Sequence, residues 1–422
     1  MPLELNANAP DLSSLIRPGD TVLWGQANAE PLTLTRALMA QRHDFKRIRV
    51  LLGIANSDTC RPEHADAVDF LAYCGAGANR ALADAGVLDI LACHYSEMAS
   101  QLSSGKLRVD VLMLQLSPAD ANGRHSLSLA SEYLLCALEQ AAVVIGEVNQ
   151  QTPCTYGERT LGLDELDAVV YTDRPPLASD SASIREVDMK IARHIAALVE
   201  DGSTLQTGIG AIPDAVLSAL DDHHNLGVHS GSIGDGVMRL MQSGVVNNSR
   251  KSRDPWLSVG GVLIGSQALA QFAHRNRSIH MRSSAYTHDA QVLASLDRLV
   301  AINSAVEVDL TGQVNSEVAA GSYLGAVGGS LDFIRGAHRS RGGLPIIALP
   351  ASARSHSRIV ARLKGPVTIP RSDAGIIVTE FGVADLRGLT LKQRVDKMLS
   401  IAAPQHRDEL EAAWAREGLA GY

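Results

Sequence analysis

The chain has little that would mark it for a membrane, a nucleic acid or an oxidising compartment. No apolar run in its 422 residues approaches the ~18 needed to cross a bilayer, and its start, from Met1 to Asn6, lacks a basic segment followed by an apolar core. A net charge of −8, with one short basic run at Arg335–Arg341, argues against a general nucleic-acid binder, which needs a clustered basic face to neutralise phosphates. Five cysteines, Cys60, Cys74, Cys93, Cys136 and Cys154, include no C-x-x-C pair. An odd count without metal-ligand spacing fits a reducing compartment and no structural zinc. A cytoplasmic protein with no metal, nucleic-acid or membrane partner is expected.

What is present is a globular composition, 45% apolar and 20% charged, in a chain too long for one ordinary core. Apolar runs at 47–53, 109–116, 142–148 and 344–349 read as strands covered on both faces. They alternate with helical patterns at 32–42, 78–85, 132–142 and 184–199. That alternation predicts an α/β fold with parallel sheets. The proline-containing stretch from Thr172 to Ser181 is the best linker, so domains are expected at 1–180 and 181–422. An internal echo supports the cut: Gly19–Pro31 and Gly202–Pro213 each read as a turn, a short strand, a glycine loop and a proline opening a helix. Two related open α/β domains facing one another would set these loops across a shared cleft.

Several segments have the residue types for chemistry. Gly208 and Gly210 lie between a strand and a helix N-terminus, where backbone amides can meet an oxyanion or phosphate, or form a close-packed turn. Gly325, Gly328 and Gly329 permit backbone to approach a ligand. Gln26 and Asn28 follow an apolar strand and could orient a carboxylate or a carbonyl, or satisfy their own loop. Glu307 and Asp309 share one face of a strand; they suit acid/base work, a solvated face or support of the adjacent glycine turn. Glu380, Asp385 and Arg387 read as a structural ion-pair group. Arg341, Arg354 and Arg358 could bind ligand phosphates or a carboxylate, or remain solvated.

The segments Asn303–Val314, Gly325–Phe333 and Thr379–Gly388 together resemble the acetyl-CoA hydrolase/transferase family, the acyl-CoA:carboxylate CoA-transferases of 4-hydroxybutyrate CoA-transferase type. Asp110–Gly123 and Gly146–Pro153 look like that family's N-terminal domain, so the resemblance spans almost the whole chain. It implies that Gln206, Gly208 and Gly210 line the acyl pocket and that Gly325, Gly328 and Gly329 contact CoA. It also places Gln26 and Asn28 in the active site, although members often carry His where this chain has Gln26. CoA is then a cosubstrate, no cofactor is bound, and a homodimer or homotetramer is expected.

In the family an enzyme glutamate attacks the thioester, passing through an acyl anhydride to a glutamyl-CoA thioester, in a segment matching Val228–Gly236. His229, Asp235 and Gly236 keep that frame, but the glutamate's own position is Gly231, which cannot form an anhydride. An empty position 231 leaves room for a carboxylate from the facing domain. Glu63, in the loop after the strand 47–53, is the expected substitute, unless it simply starts a short helix where an acid complements the dipole. Glu97 and Glu307 are further candidates. Cys60 is a possible thiol nucleophile or a small buried hydrophobe. The expected activity is CoA transfer from an acyl-CoA to a small mono- or dicarboxylate by a ping-pong route. An acyl-CoA hydrolase and a non-catalytic acyl-CoA-binding protein are the alternatives.

Overall fold

The computed structural model describes residues 1–180 and 182–417. The apolar runs form two sheets. One has eight strands, in the order 3–5, 168–172, 143–149, 111–116, 21–24, 48–52, 68–72 and 88–90, all neighbours parallel. The other has six, in the order 227–228, 204–207, 299–304, 344–348, 376–379 and 382–385, parallel except for the final hairpin. Val111–Leu116 is buried along its whole length, as a strand covered on both faces must be. The helices at Leu32–Ala40, Asn79–Asp84, Glu132–Leu138 and Glu186–Ala196 fall inside the expected spans.

Alternate residues of each strand enter different cores. Leu23, Leu51 and Leu112 join Leu205, Ile302, Ile346 and Val378 in one apolar cluster shared by both sheets. Val22, Val50 and Val111 face away into a core of the first sheet, and Ala301, Ile347 and Ile377 into a core of the second. The period-two alternation thus turns one face of each sheet toward its counterpart.

Both sheets reverse their strand order beside the echoed strand. From Thr21–Trp24 the chain proceeds outward through 48–52, 68–72 and 88–90, then returns to lay 111–116 on the other side. From Thr204–Thr207 it goes to 227–228 and returns to lay 299–304 opposite. The crevice beyond the carboxyl ends of strands at such a reversal is where open α/β sheets bind ligands. Here two reversals face each other.

Backbone pairing joins the halves. Tyr156–Gly157 adds a parallel strand to Ile279–Met281. The Leu263 N–H donates to the Leu129 carbonyl at 2.8 Å and the Ser131 N–H to the Gly261 carbonyl at 2.9 Å. The linker stretch 173–180 has no regular structure, and Ser181 lies outside the described residues. Arg174 anchors this stretch. Its guanidinium lies 2.6 Å from the fully buried Glu147 carboxylate, which also accepts the Thr33 N–H at 2.9 Å. No helix among the described residues is long and apolar enough to cross a membrane.

Replacing Arg174 with Met would strand a buried charge that keeps only part of its hydrogen bonding. The expected loss is about 2–3 kcal/mol, below the full cost of breaking a buried pair because Arg174 is itself partly exposed. Urea unfolding of the variant measures it.

Candidate active site

A pocket of about 170 Å³ opens where the two strand reversals meet. The first half contributes Gln26 and Ile54 from the loops after the strands 21–24 and 48–52, with Tyr73, Tyr95 and Glu132. The second contributes Gln206 to Ile209, Gly231, Ser232, Asn303, Gly329 and Phe333, with Val262, Ile264 and His288. Gln206 and Asn303 lie on neighbouring strands at the second reversal, where the Asn303 side-chain amide donates to Gln206 Oε1 at 3.0 Å.

Glu132 is the one Asp or Glu lining this pocket among the described residues, and no Lys or Arg lines it. It opens the helix Glu132–Leu138, and the segment before it is docked on the second half through Leu129 and Ser131. Tyr133, next along, is fully buried and donates its hydroxyl to the Trp24 carbonyl at 3.2 Å, so the first turn of this helix cannot roll away. Glu132 Oε2 accepts from Gln26 Nε2 at 2.6 Å and from the Tyr95 hydroxyl at 2.7 Å. Oε1 accepts from no described residue, although Glu132 is only 1% exposed. Burial pushes its carboxyl up to about 7, against the lowering pull of the Tyr95 and Gln26 hydrogen bonds.

The Gln26 amide is held in one orientation. The Ile54 N–H can only donate, and it donates to Gln26 Oε1 at 2.9 Å alongside the Tyr73 hydroxyl at 2.7 Å. The Gln26 NH₂ group therefore faces Glu132. Ala27 sits beside it at φ 51°, a strained value for a non-glycine residue, with its N–H on the Ile54 carbonyl at 2.7 Å.

On the opposite wall, His288 fills the space between two glycines. A Cβ on Gly231 would meet its Cε1 at 3.2 Å and Nε2 at 3.3 Å, and one on Gly329 would meet its Cδ2 at 2.7 Å. The ring packs 4.8 Å from Tyr95 and 4.7 Å from Phe333, centroid to centroid. Burial pushes its pKa down to about 3, so it is neutral. The Thr287 hydroxyl donates to the Ser283 carbonyl and so accepts from His288 Nδ1 at 2.8 Å, which leaves Nε2 an acceptor.

Of the residues expected from sequence, Gln26, Gln206, Gly208, Gly231 and Gly329 line the pocket. The others do not. Glu63, the expected nucleophile, stands outside on the short helix Pro62–Asp66, its side chain 61% exposed and nearest Arg61, because Pro62 and the loop point it to solvent. Glu97 is exposed on the helix Tyr95–Ser103. Glu307 is half-buried beyond the pocket, while Asp309 accepts four hydrogen bonds from Thr311 and Gln313 to close the glycine turn. Asn28 is buried in structural bonds to Gly265, Asn56 and Ser179. Gly210, at φ 118°, lines an adjoining cleft that shares Gly208 and Ser232 with the pocket. The Gly208 N–H is taken by the Ile302 carbonyl at 3.3 Å and is not on offer to an oxyanion.

Gly325 and Gly328 belong to the seam, where their carbonyls accept the N–H groups of Gly75 and Tyr95, each at 3.0 Å. Arg341 pairs with Asp297, Arg354 is exposed, and Arg358 lies among Glu307, Glu380 and Asp188; none reaches the pocket. Burial pushes the Cys60 thiol well above its ordinary value, which removes it as a thiolate. No group of three or more His, Cys, Asp and Glu among the described residues could hold a metal ion. Sequence reasoning missed Glu132, Tyr95 and His288. The signal for Glu132 was there: it is the one Asp, Glu, Lys or Arg between Arg124 and Glu139, in a run that apart from His125 is otherwise apolar or hydroxyl-bearing.

The raised Glu132 carboxyl makes stability depend on pH. The folded chain keeps a proton that the unfolded chain releases near 4.5, so the contribution is full below that pH and lost as pH rises through about 7. Glu132→Gln removes the effect. Its stability relative to the parent is expected to climb between pH 5 and pH 8 by up to about 3 kcal/mol, read as a growing difference in melting temperature.

The comparisons with known proteins agree with this geometry. The acetyl-CoA hydrolase/transferase N-terminal domain matches residues 5–179 and the C-terminal domain of the same family residues 265–414. The chain is 36% identical over 403 residues to the 4-hydroxybutyrate coenzyme A transferase of Clostridium kluyveri, covering 94% of each. It is 33% identical over 416 residues to the succinyl-CoA:cyclohexane-1-carboxylate CoA transferase of Geobacter metallireducens, covering 96% of this chain and 94% of that one. The crystal structure of RipA from Yersinia pestis superposes with a TM-score of 0.91 at 33% identity, over 96% of this chain and 95% of that one. A glycine-lined pocket between two facing α/β sheets and relatives matched end to end lead to one assignment: the chain belongs to the acetyl-CoA hydrolase/transferase family, among its CoA-transferases.

Proposed function

We propose that the protein transfers CoA from an acyl-CoA to a short-chain monocarboxylate. The observation that carries this reading is the make-up of the pocket: apolar walls at Ile54, Val262, Ile264 and Phe333, neutral amides at Gln26, Gln206 and Asn303, and one carboxylate without a cation. An apolar acyl chain gains by leaving water there. A dicarboxylate would bury its second charge among neutral and apolar groups, beside a carboxylate of like sign, a cost of several kcal/mol. The relative whose name specifies 4-hydroxybutyrate supports an acid carrying a single carboxylate, while the one named for cyclohexane-1-carboxylate also has succinyl-CoA in its name.

Transfer is favoured over hydrolysis by the dryness of the site. The Glu132 carboxylate is 1% exposed and its neighbours are aromatic rings, so water has little access to an activated acyl group. Five unpaired cysteines fit a reducing, cytoplasmic setting for this activity.

Incubating the protein with acetyl-CoA and single acids, and measuring new acyl-CoA by mass spectrometry, tests the reading. Butyrate is expected to give butyryl-CoA with kcat/KM at least ~10-fold above that for succinate. Free CoA released at the same rate without any acid would make the protein a hydrolase. A preference for succinate would overturn the choice of acid.

A further inference from the structure

We infer that Glu132 is the covalent nucleophile, a carboxylate supplied by the first half of the chain to the site that position 231 of the second half leaves bare. The inference rests on the CoA-transfer reading above and adds to it the group that carries CoA between the two acids. Its basis is geometric. Glu132 is the one Asp or Glu on the pocket wall among the described residues, it is almost fully buried, and one of its oxygens has no partner there. It is also a neighbour of Gly231: the Gly231 carbonyl and the Glu132 Cβ lie 3.0 and 3.3 Å from the point where a Cβ on Gly261 would stand. A Cβ at position 231 would stand 3.2 Å from the His288 ring, which would have to give by a few tenths of an ångström.

The two oxygens of Glu132 have different surroundings, and the chemistry needs that difference. Oε1 attacks the thioester carbonyl carbon, the C–S bond breaks, CoA leaves as thiolate, and a mixed anhydride joins the acyl group to Oε1. The thiolate then attacks the Glu132 Cδ. The Cδ–Oε1 bond breaks, the donor acid departs carrying Oε1, and a glutamyl-CoA thioester remains. During that attack negative charge develops on Oε2, where Gln26 Nε2 and the Tyr95 hydroxyl already donate at 2.6 and 2.7 Å. The pair that holds the resting carboxylate is therefore an oxyanion hole for the enzyme's own carbonyl. The acceptor acid reverses the sequence: one of its oxygens bonds to Cδ as CoA is expelled, the thiolate takes the acyl carbon, and that oxygen stays on Glu132. Protons and charge balance over the cycle without a co-reactant.

A carboxylate stripped of water is a stronger nucleophile than a solvated one, and the burial that lifts its pKa to about 7 still leaves much of it ionised at neutral pH. Gln26 and Tyr95 are positioning residues in the resting enzyme and contact the reacting atoms once Glu132 is acylated.

The experiment uses the full-length protein during turnover. One sample is reduced with borohydride in the presence of acetyl-CoA, and a second is turned over with butyrate labelled in both oxygens with heavy oxygen. Peptide fragmentation must then separate Glu132 from Glu139 and Glu147. The inference expects the reduced alcohol and the heavy oxygen on Glu132, with transfer by Glu132→Gln lower by at least ~10³-fold while its melting transition stays cooperative. Either label on another carboxylate, or no label at Glu132 while the parent transfers CoA, would overturn it. So would a Glu132→Gln variant retaining a tenth or more of the activity. Each of these results leaves the CoA-transfer reading standing, whereas a parent that forms no new acyl-CoA with any acid refutes that reading instead.

Discussion

A carboxylate closed between two sheets with no cation beside it must be held by neutral donors, and much of the architecture follows from supplying them. Gln26 reaches Glu132 because the loop after the strand Thr21–Trp24 emerges at a reversal of strand order. That loop sits close because residue 53 is glycine: a Cβ there would stand 2.6 Å from the Tyr133 hydroxyl and 2.7 Å from Gln26 Oε1. Tyr95 arrives on a helix whose first N–H is fixed by the Gly328 carbonyl of the other half. Removing a donor would leave an incompletely satisfied buried acid, a more expensive state than an apolar pair of the same shape.

The second half contributes amides and, among the described residues, no carboxylate to the pocket. Gln206 and Asn303 bond to each other at the reversal of the second sheet, as Gln26 stands beside the reversal of the first. Acyl chemistry needs an environment that is low in water yet able to stabilise developing charge at defined points. Fixed neutral dipoles against apolar walls provide that environment without the desolvation cost of burying an additional charge.

The parallel sheets, the echoed strand–loop–helix units and the contribution of Gln26, Gln206, Gly231 and Gly329 were legible in the sequence, because each depends on local pattern or on a βα turn. That a carboxylate of the first half would stand near position 231 was legible too, but which one was not. Glu63 follows a strand on the correct edge, but a loop's direction is set by Pro62 and by Arg61, not by the strand it leaves. Glu132 lies 106 positions from Gln26, and its helix is placed by the Tyr133 hydroxyl on the Trp24 carbonyl and by backbone pairing of Leu129 and Ser131 with Leu263 and Gly261. Such contacts join distant segments that share no periodicity. Gly325 and Gly328 were misleading for the converse reason: close approach of backbone was correctly expected, but the approaching partner is the chain itself.

The wedge of His288 between Gly231 and Gly329 has a consequence for how sequences of this kind can change. A Cβ at position 231 makes the imidazole give by a few tenths of an ångström, and shrinking the ring would open a void against Tyr95 and Phe333. Substitutions at 231 and 288 are therefore coupled in their effect on packing. The same ring thus sets the shape of both glycine positions on this wall of the pocket.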